Sequence, residues 1–254
     1  MVSAARIERI ASFDGAELAL HRLGAGKPVV LLHGLFSSAR MNWLKFGHAQ
    51  ALAEAGFEAL MPDLRAHGES AAPHDAAGYP PGVLVRDVEA VVAALKLAEF
   101  DLVGFSLGAR TALGAVAAGL APRRLVLAGM GLESLSNGDR RFAFFVDAID
   151  RFEAIRQGDP AYVAKQFMKT MRIDRAAARL LLTRGIGDLP GNALAALTMP
   201  TLVVAGVQDR DNGSPRALAE ALTDARFEEV PGSHMSSVTE PALGQAIVRF
   251  LSEA

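Results

Sequence analysis

Val29-Val30-Leu31-Leu32 is an unbroken apolar run. A strand that shows one face to water alternates apolar with polar residues, so an unbroken run marks a strand buried on both faces, as in a parallel sheet covered by helices. Comparable segments recur at Phe57 to Met61, Asp101 to Gly104, Arg124 to Ala128 and Thr201 to Ala205. Stretches with helical spacing separate the first of them: Trp43 to Ala55, closed by Gly56, then Val83 to Leu97, with Val88, Val91, Val92 and Leu95 on one face. A further helix runs from just after Ser106 to about Gly119. This alternation predicts a parallel sheet with right-handed crossovers. A hairpin, Arg6 to Ala11 and Glu17 to Leu23 around Asp14-Gly15, precedes it. A helix at Pro215–Leu222, a strand at Arg226–Val230 and an amphipathic helix from Pro241 to Leu251 close the chain.

The alternation stops between about Gly131 and Leu197, where only helical pieces are expected: Asp139–Arg156, Pro160–Thr170, Arg175–Arg184 and Asn192–Leu197. Gly158-Asp159-Pro160 and the run Gly185 to Gly191 punctuate them. The strand rhythm then resumes at Thr201. The expected division is a core of residues 1–130 and 198–254 and a helical lid of residues 131–197, inserted after the sixth strand. The same helices could instead be plain additions to the core.

At 254 residues the chain suits one α/β domain with an insertion. It is 51% hydrophobic and 21% charged, which fits a globular protein, and its net charge of −2 offers no basic face for a nucleic acid. It has no cysteine, hence no disulfide and no thiolate metal site. The first residues, Met1 to Glu8, lack a long apolar core, and no apolar segment approaches the roughly 20 residues of a membrane span. A soluble, cytoplasmic protein is expected.

Gly104-Phe105-Ser106-Leu107-Gly108 stands where a strand meets a helix. A Gly-x-Ser-x-Gly pentapeptide in that setting makes a sharp turn that holds the serine hydroxyl exposed at a helix N-terminus, where the helix dipole favours developing negative charge. A Cβ at either glycine would crowd the turn. A serine so placed needs a base. His234, between Gly232-Ser233 and Met235 at a strand's carboxyl end, is the candidate, since open α/β sheets place their sites at that edge. A carboxylate must orient the imidazole; Asp209 is the first choice, with Asp211 and Asp224 as competitors.

These residues, taken together, resemble the α/β-hydrolase superfamily over essentially the whole chain. The resemblance rests on His33-Gly34 after the third strand and Asp63-x-Arg65-x-His67-Gly68-x-Ser70 after the fourth. It continues with the Ser106 turn, Gly206-x-x-Asp209 after the seventh strand and Gly232-Ser233-His234 after the eighth. It implies an α/β-hydrolase fold: a mostly parallel sheet of about eight strands flanked by helices, with a helical lid. It further implies Ser106 as nucleophile, Asp209 as acid and His234 as base, in the order this fold uses. Oxyanion donors would come from the backbone N–H groups of Leu107 and Leu35, and His33 and His67 would be loop-structuring. Phe36 and Leu35 either wall an acyl pocket or belong to the core. The spacing Asp209-Arg210-Asp211-Asn212-Gly213-Ser214-Pro215 is longer than usual and leaves the acid open between Asp209 and Asp211.

The nucleophile position separates the relatives. Haloalkane dehalogenases and soluble epoxide hydrolases carry an aspartate where this chain has Ser106. The His-Gly-Gly-Pro-Gly loop of proline iminopeptidases is absent, and Leu35 to Arg40 departs from the Gly/Pro-rich loop of carbon–carbon hydrolases. The expected activity is hydrolysis of a small to medium, largely apolar carboxylic ester through an acyl-enzyme. Thioester hydrolysis and acyl transfer are the first alternatives, with a carbon–carbon bond hydrolase and a ligand-binding protein without turnover behind them. Phe142, Phe144, Phe145, Phe152, Phe167, Met168 and Met171 in the lid segment suggest an apolar substrate cavity, Phe144 and Phe145 foremost. No cofactor and no metal are implied.

Overall fold

A computed structural model describes residues 5–136 and 138–253. Eight strands form one sheet: β1 (Arg6–Ala11), β2 (Glu17–Gly24), β3 (Lys27–Leu32), β4 (Phe57–Pro62), β5 (Asp101–Phe105), β6 (Leu125–Ala128), β7 (Thr201–Gly206) and β8 (Ala225–Val230). Their order across the sheet is β1-β2-β4-β3-β5-β6-β7-β8. β2 pairs antiparallel with β1 and with β4, and every pairing from β4 through β3 to β8 is parallel. The continuous apolar runs lie in the middle: Val29 to Leu32 of β3, all of β5 and all of β6 are buried. The chain therefore has the α/β-hydrolase fold.

The sheet's pleat sends alternate residues of one run into two cores. Val30 and Leu32 join Leu102, Leu113 and Val88 on one side, while Val29 and Leu31 join Trp43, Leu52, Ile247 and Phe250 on the other. The first layer is covered by α2 (Val83–Ala94) and α3 (Leu107–Ala117), the second by α1 (His48–Glu54) and α8 (Pro241–Leu251). α7 (Pro215–Glu220) joins β7 to β8. The single helix expected from Trp43 to Ala55 is instead a π-turn, Arg40–Leu44, followed by α1. Gly47, in the left-handed region at φ 80°, separates them, because no right-handed helix passes through that conformation.

Between β6 and β7 lie α4 (Gly138–Asp150), α5 (Tyr162–Thr170) and α6 (Arg175–Leu180), then a π-turn, Leu181–Gly185, and a short 3₁₀ turn, Ala193–Ala196. These elements divide in two by what they bury. Ala148, Ile149, Ala161 and Met168 from α4, α5 and their link form a separate small core with Phe36, Ala178 and Leu182. Ala177, Leu181, Ala193 and Leu197, further along, pack into the main core beside α3. Among the described residues no helix is long and apolar enough to cross a membrane.

The loop after β4 is a polar knot. Arg65 is fully buried and donates to Asp87 on α2 at 3.0 and 2.7 Å, to both oxygens of Asp14 and to the Gly78 carbonyl. Asp63 accepts from the Ala39 and Glu69 amides, at 2.7 and 2.8 Å, and lies 3.2 Å from His21 Nε2. Burial raises the Asp63 carboxyl, but the hydrogen bonds from His21 and the two amides outweigh it and hold it below the ordinary carboxylate range. His67 stacks edge-on to His33 with ring centres 5.2 Å apart. Burial, reinforced by His33, drives its pKa down to about 3, so it is neutral in the folded protein.

Candidate active site

Every residue of the candidate site stands just past the carboxyl end of a strand. Ser106 directly follows β5 and precedes α3, at φ 53° and ψ −110°, a conformation that side-chain-bearing residues rarely adopt. Two close approaches hold it there. A Cβ on Gly104 would fall 2.3 Å from the Gly108 carbonyl oxygen, and one on Gly108 would fall 2.2 Å from the Leu32 carbonyl oxygen. Strand β5, the turn and β3 therefore meet backbone to backbone, and only glycine fits at either place.

His234 lies in the loop after β8 and Asp209 in the loop after β7, and both are almost wholly buried. Ser106 Oγ is 3.0 Å from His234 Nε2, and His234 Nδ1 is 2.8 Å from Asp209 Oδ2. An ionised carboxylate only accepts, so Nδ1 carries the proton and Nε2 is left to accept from the serine hydroxyl. Burial raises the Asp209 carboxyl; the hydrogen bond and charge of His234, the Asp211 amide and the charge of Arg141 more than reverse this and keep it below the ordinary range. Its second oxygen, Oδ1, accepts the Asp211 amide at 3.0 Å. Phe105 backs the imidazole with ring centres 5.2 Å apart.

The competing carboxylates lie elsewhere. Asp211 is half exposed and faces Arg141 of α4. Asp224 sits at the far end of β7, where its carbonyl accepts the Thr201 amide. Of the other histidines, His48 meets the Val238 carbonyl at 2.7 Å, His21 meets Asp63, and His74 meets Asp174 at the surface. Among the described residues no group of three or more His, Asp or Glu side chains is arranged to hold a metal ion.

Ser106 and His234 open onto a cavity of about 540 Å³. Leu35 and Leu107 line it beside Ser106. Leu107 is the first residue of α3, so its N–H has no acceptor within its own helix. Phe36 also lines the cavity and is held at φ 57°, buried against Phe145 with ring centres 5.4 Å apart. Phe142, Phe144 and Phe145 from α4 and Val163 and Phe167 from α5 form the opposite wall. Phe152 and Met168 belong to the small core between these helices instead. Sequence reasoning passed over Met41, Asn42, Phe46, Met130, Arg141 and Val238, which also line the cavity. Their local sequence carries no signal, since the fold alone brings them to one place.

A family model for the alpha/beta hydrolase family matches residues 29–244, and the chain belongs to that family. A putative carbamate hydrolase of Variovorax paradoxus is 28% identical over 262 residues, covering 92% of this chain and 94% of that protein. An epoxide hydrolase of Caballeronia sordidicola is 36% identical over a shorter stretch of 96 residues, 38% of this chain and 28% of that protein. Among solved structures, an esterase of Exiguobacterium antarcticum superposes with a TM-score of 0.79 at 21% identity, covering 96% of this chain and 99% of that one. At that identity the likeness is one of fold.

Proposed function

We propose that this protein is a serine hydrolase that cleaves a small to medium, largely apolar carboxylic ester through an acyl-enzyme. The observation that carries the reading is the unbroken hydrogen-bond chain Ser106 Oγ–His234 Nε2 and His234 Nδ1–Asp209 Oδ2, at 3.0 and 2.8 Å, opening onto a cavity walled by phenylalanines. In this reading His234 takes the Ser106 proton as Oγ attacks the ester carbonyl. The N–H groups of Leu35 and Leu107 then meet the oxygen that becomes negative. The imidazolium, steadied by Asp209, returns its proton to the leaving alcohol. Water repeats the cycle on the acyl-enzyme and frees Ser106.

The kinship with an epoxide hydrolase poses a specific alternative. If Ser106 opened an epoxide, the product would be an ether on the enzyme. An ether has no carbonyl for water to attack, so the serine would not be regenerated. A carbonyl substrate suits a serine nucleophile. Thioesters and acyl acceptors other than water share the same first step, and they differ only in which group leaves or arrives.

The reading also makes α4 and α5, the part of residues 131–197 that stays out of the main core, a helical lid that shapes substrate choice. Its support is that α4 and α5 contribute the cavity's far wall. A screen of p-nitrophenyl esters and thioesters of graded acyl length, run beside Ser106→Ala, tests it. Turnover of short-to-medium oxygen esters that disappears in Ser106→Ala is expected. No turnover of any acyl substrate by the wild type would refute the proposal.

A further inference from the structure

The loop from His33 to Asn42 carries one of the two proposed oxyanion donors, the Leu35 N–H. That N–H shares a peptide plane with the Gly34 carbonyl and, in a trans peptide, points opposite to it. Whatever fixes Gly34 therefore aims the donor. The Leu64 amide donates to His33 Nε2 at 2.9 Å, so that nitrogen is unprotonated and the ring proton is on Nδ1. Nδ1–H then donates to the Gly34 carbonyl at 2.8 Å. This holds the plane on one side.

The preceding peptide, which carries the Gly34 N–H and joins this plane at the Gly34 Cα, is held by Asn42. Its Oδ1 accepts the Gly34 N–H at 3.1 Å, and because the backbone amide can only donate, the side-chain orientation is settled: oxygen toward Gly34, nitrogen away. Asn42 is itself fixed. It lies in the π-turn Arg40–Leu44, its own amide donates to the Ser38 carbonyl at 2.9 Å, and only 2% of it is exposed. The amide nitrogen Nδ2 is buried with no hydrogen-bond partner. Stability alone gives no reason to bury that donor, whereas a need for the oxygen at Gly34 does. The backbone held in this way lies against the nucleophile: a Cβ on Gly34 would be 3.6 Å from Ser106 Cβ and 3.2 Å from the Phe105 ring.

We propose that Asn42 is a positioning residue for the oxyanion site: its side-chain oxygen holds the His33–Gly34 peptide and, together with the His33 bond to the Gly34 carbonyl, fixes the Gly34 backbone so that the Leu35 N–H faces the oxygen that becomes negative. Asn42 does not touch the reacting atoms in this assignment; it acts through Gly34. The assignment rests on the serine-hydrolase reading above and adds to it a residue whose loss weakens the transition state more than the bound ester.

The test compares wild type, Asn42→Ala and Asn42→Asp on one p-nitrophenyl ester. Inhibition by a trifluoromethyl ketone, whose adduct with Ser106 carries the oxyanion, is measured beside it, with thermal melting as the folding check. Removing an oxyanion donor outright costs about a hundredfold to a thousandfold in kcat, and a donor left in place but misaimed costs less. Asn42→Ala is expected to lower kcat by about tenfold to a hundredfold with KM changed less than about threefold, and to weaken the ketone in proportion to kcat. Asn42→Asp, which keeps an acceptor for the Gly34 N–H, should recover part of both losses. Wild-type kcat and ketone affinity in a folded Asn42→Ala would overturn the assignment, as would an Asn42→Asp no better than Ala. If Asn42→Ala does not fold, the Asp variant decides alone: kcat and ketone affinity within about tenfold of wild type support the acceptor role, and a larger loss in a folded protein overturns it. A wild type that neither hydrolyses esters nor labels at Ser106 with an organophosphonate would overturn the serine-hydrolase reading itself, and this one with it.

Discussion

Arg141 on α4 donates from Nη1 to the Asp211 backbone carbonyl at 2.8 Å, while its Nη2 stands 3.4 Å from the Asp211 carboxylate. Helix α4 thus grips the same loop that holds Asp209 against His234. The grip engages the aspartate that the imidazole does not. From this arrangement Asp209→Asn is expected to lose at least about a hundredfold in kcat, because an amide there favours the wrong imidazole tautomer. Asp211→Asn should lose less than about tenfold, since half-exposed ion pairs contribute little. Steady-state kinetics of both variants on one p-nitrophenyl ester checks the ranking.

A second expectation concerns the nucleophile. Activation of a serine hydroxyl needs both the imidazole and the oxyanion donors, and the proposed mechanism brings both to Ser106. An organophosphonate probe should label Ser106 alone, as read by peptide mapping, and Ser106→Ala should abolish labelling.

If α4 and α5 act as the proposed lid, their aromatic wall should set chain-length preference. Phe145 packs between Phe36 and Phe144, with ring centres 5.4 and 5.3 Å away. Phe144→Ala or Phe145→Ala should shift the best acyl length while changing turnover of an acetate ester less than about threefold. An unchanged length profile with a lowered melting temperature would make these residues packing alone.

Stability should depend on pH through the buried histidines. His67 titrates near 6.5 when unfolded and at about 3 when folded, so below pH 6.5 the unfolded chain takes up a proton that the folded one refuses. Folding stability is therefore complete above about pH 6.5 and should fall by about 1.4 kcal/mol per pH unit per histidine on acidification, down toward pH 3. His33, also pushed down by burial, acts in the same direction. Urea midpoints measured between pH 7 and 4 should show this slope, and it should be shallower in His67→Phe.

The sheet was legible in the sequence because strands buried on both faces leave a mark that needs no partner to read, as Val29 to Leu32 does. The candidate site was legible in part for the same reason: Ser106 comes directly off β5, and Asp209 and His234 lie within a few residues of the ends of β7 and β8. Gly47 carries no such mark, because a single glycine inside a helical pattern is compatible with helix and break alike, and its φ is decided by what packs around it. Asn42 and Arg141 act across long distances in the chain, on Gly34 and Asp211, and their neighbours in sequence give no hint of those contacts.

The two-part packing between β6 and β7 has a consequence for how such a protein can change. The stretch that returns to the sheet, with Ala177, Leu181, Ala193 and Leu197, is committed to the main core, and the parallel sheet needs it as the crossover to β7. α4 and α5 carry no such obligation; they bury their apolar faces in the separate small core with Phe36, Ala178 and Leu182. On the proposed reading, the piece that meets substrate is therefore a module on a fixed socket, and a foreign helical pair joined near residues 138 and 174 would bring a new substrate choice provided it restored the Arg141 contact to the Asp211 loop.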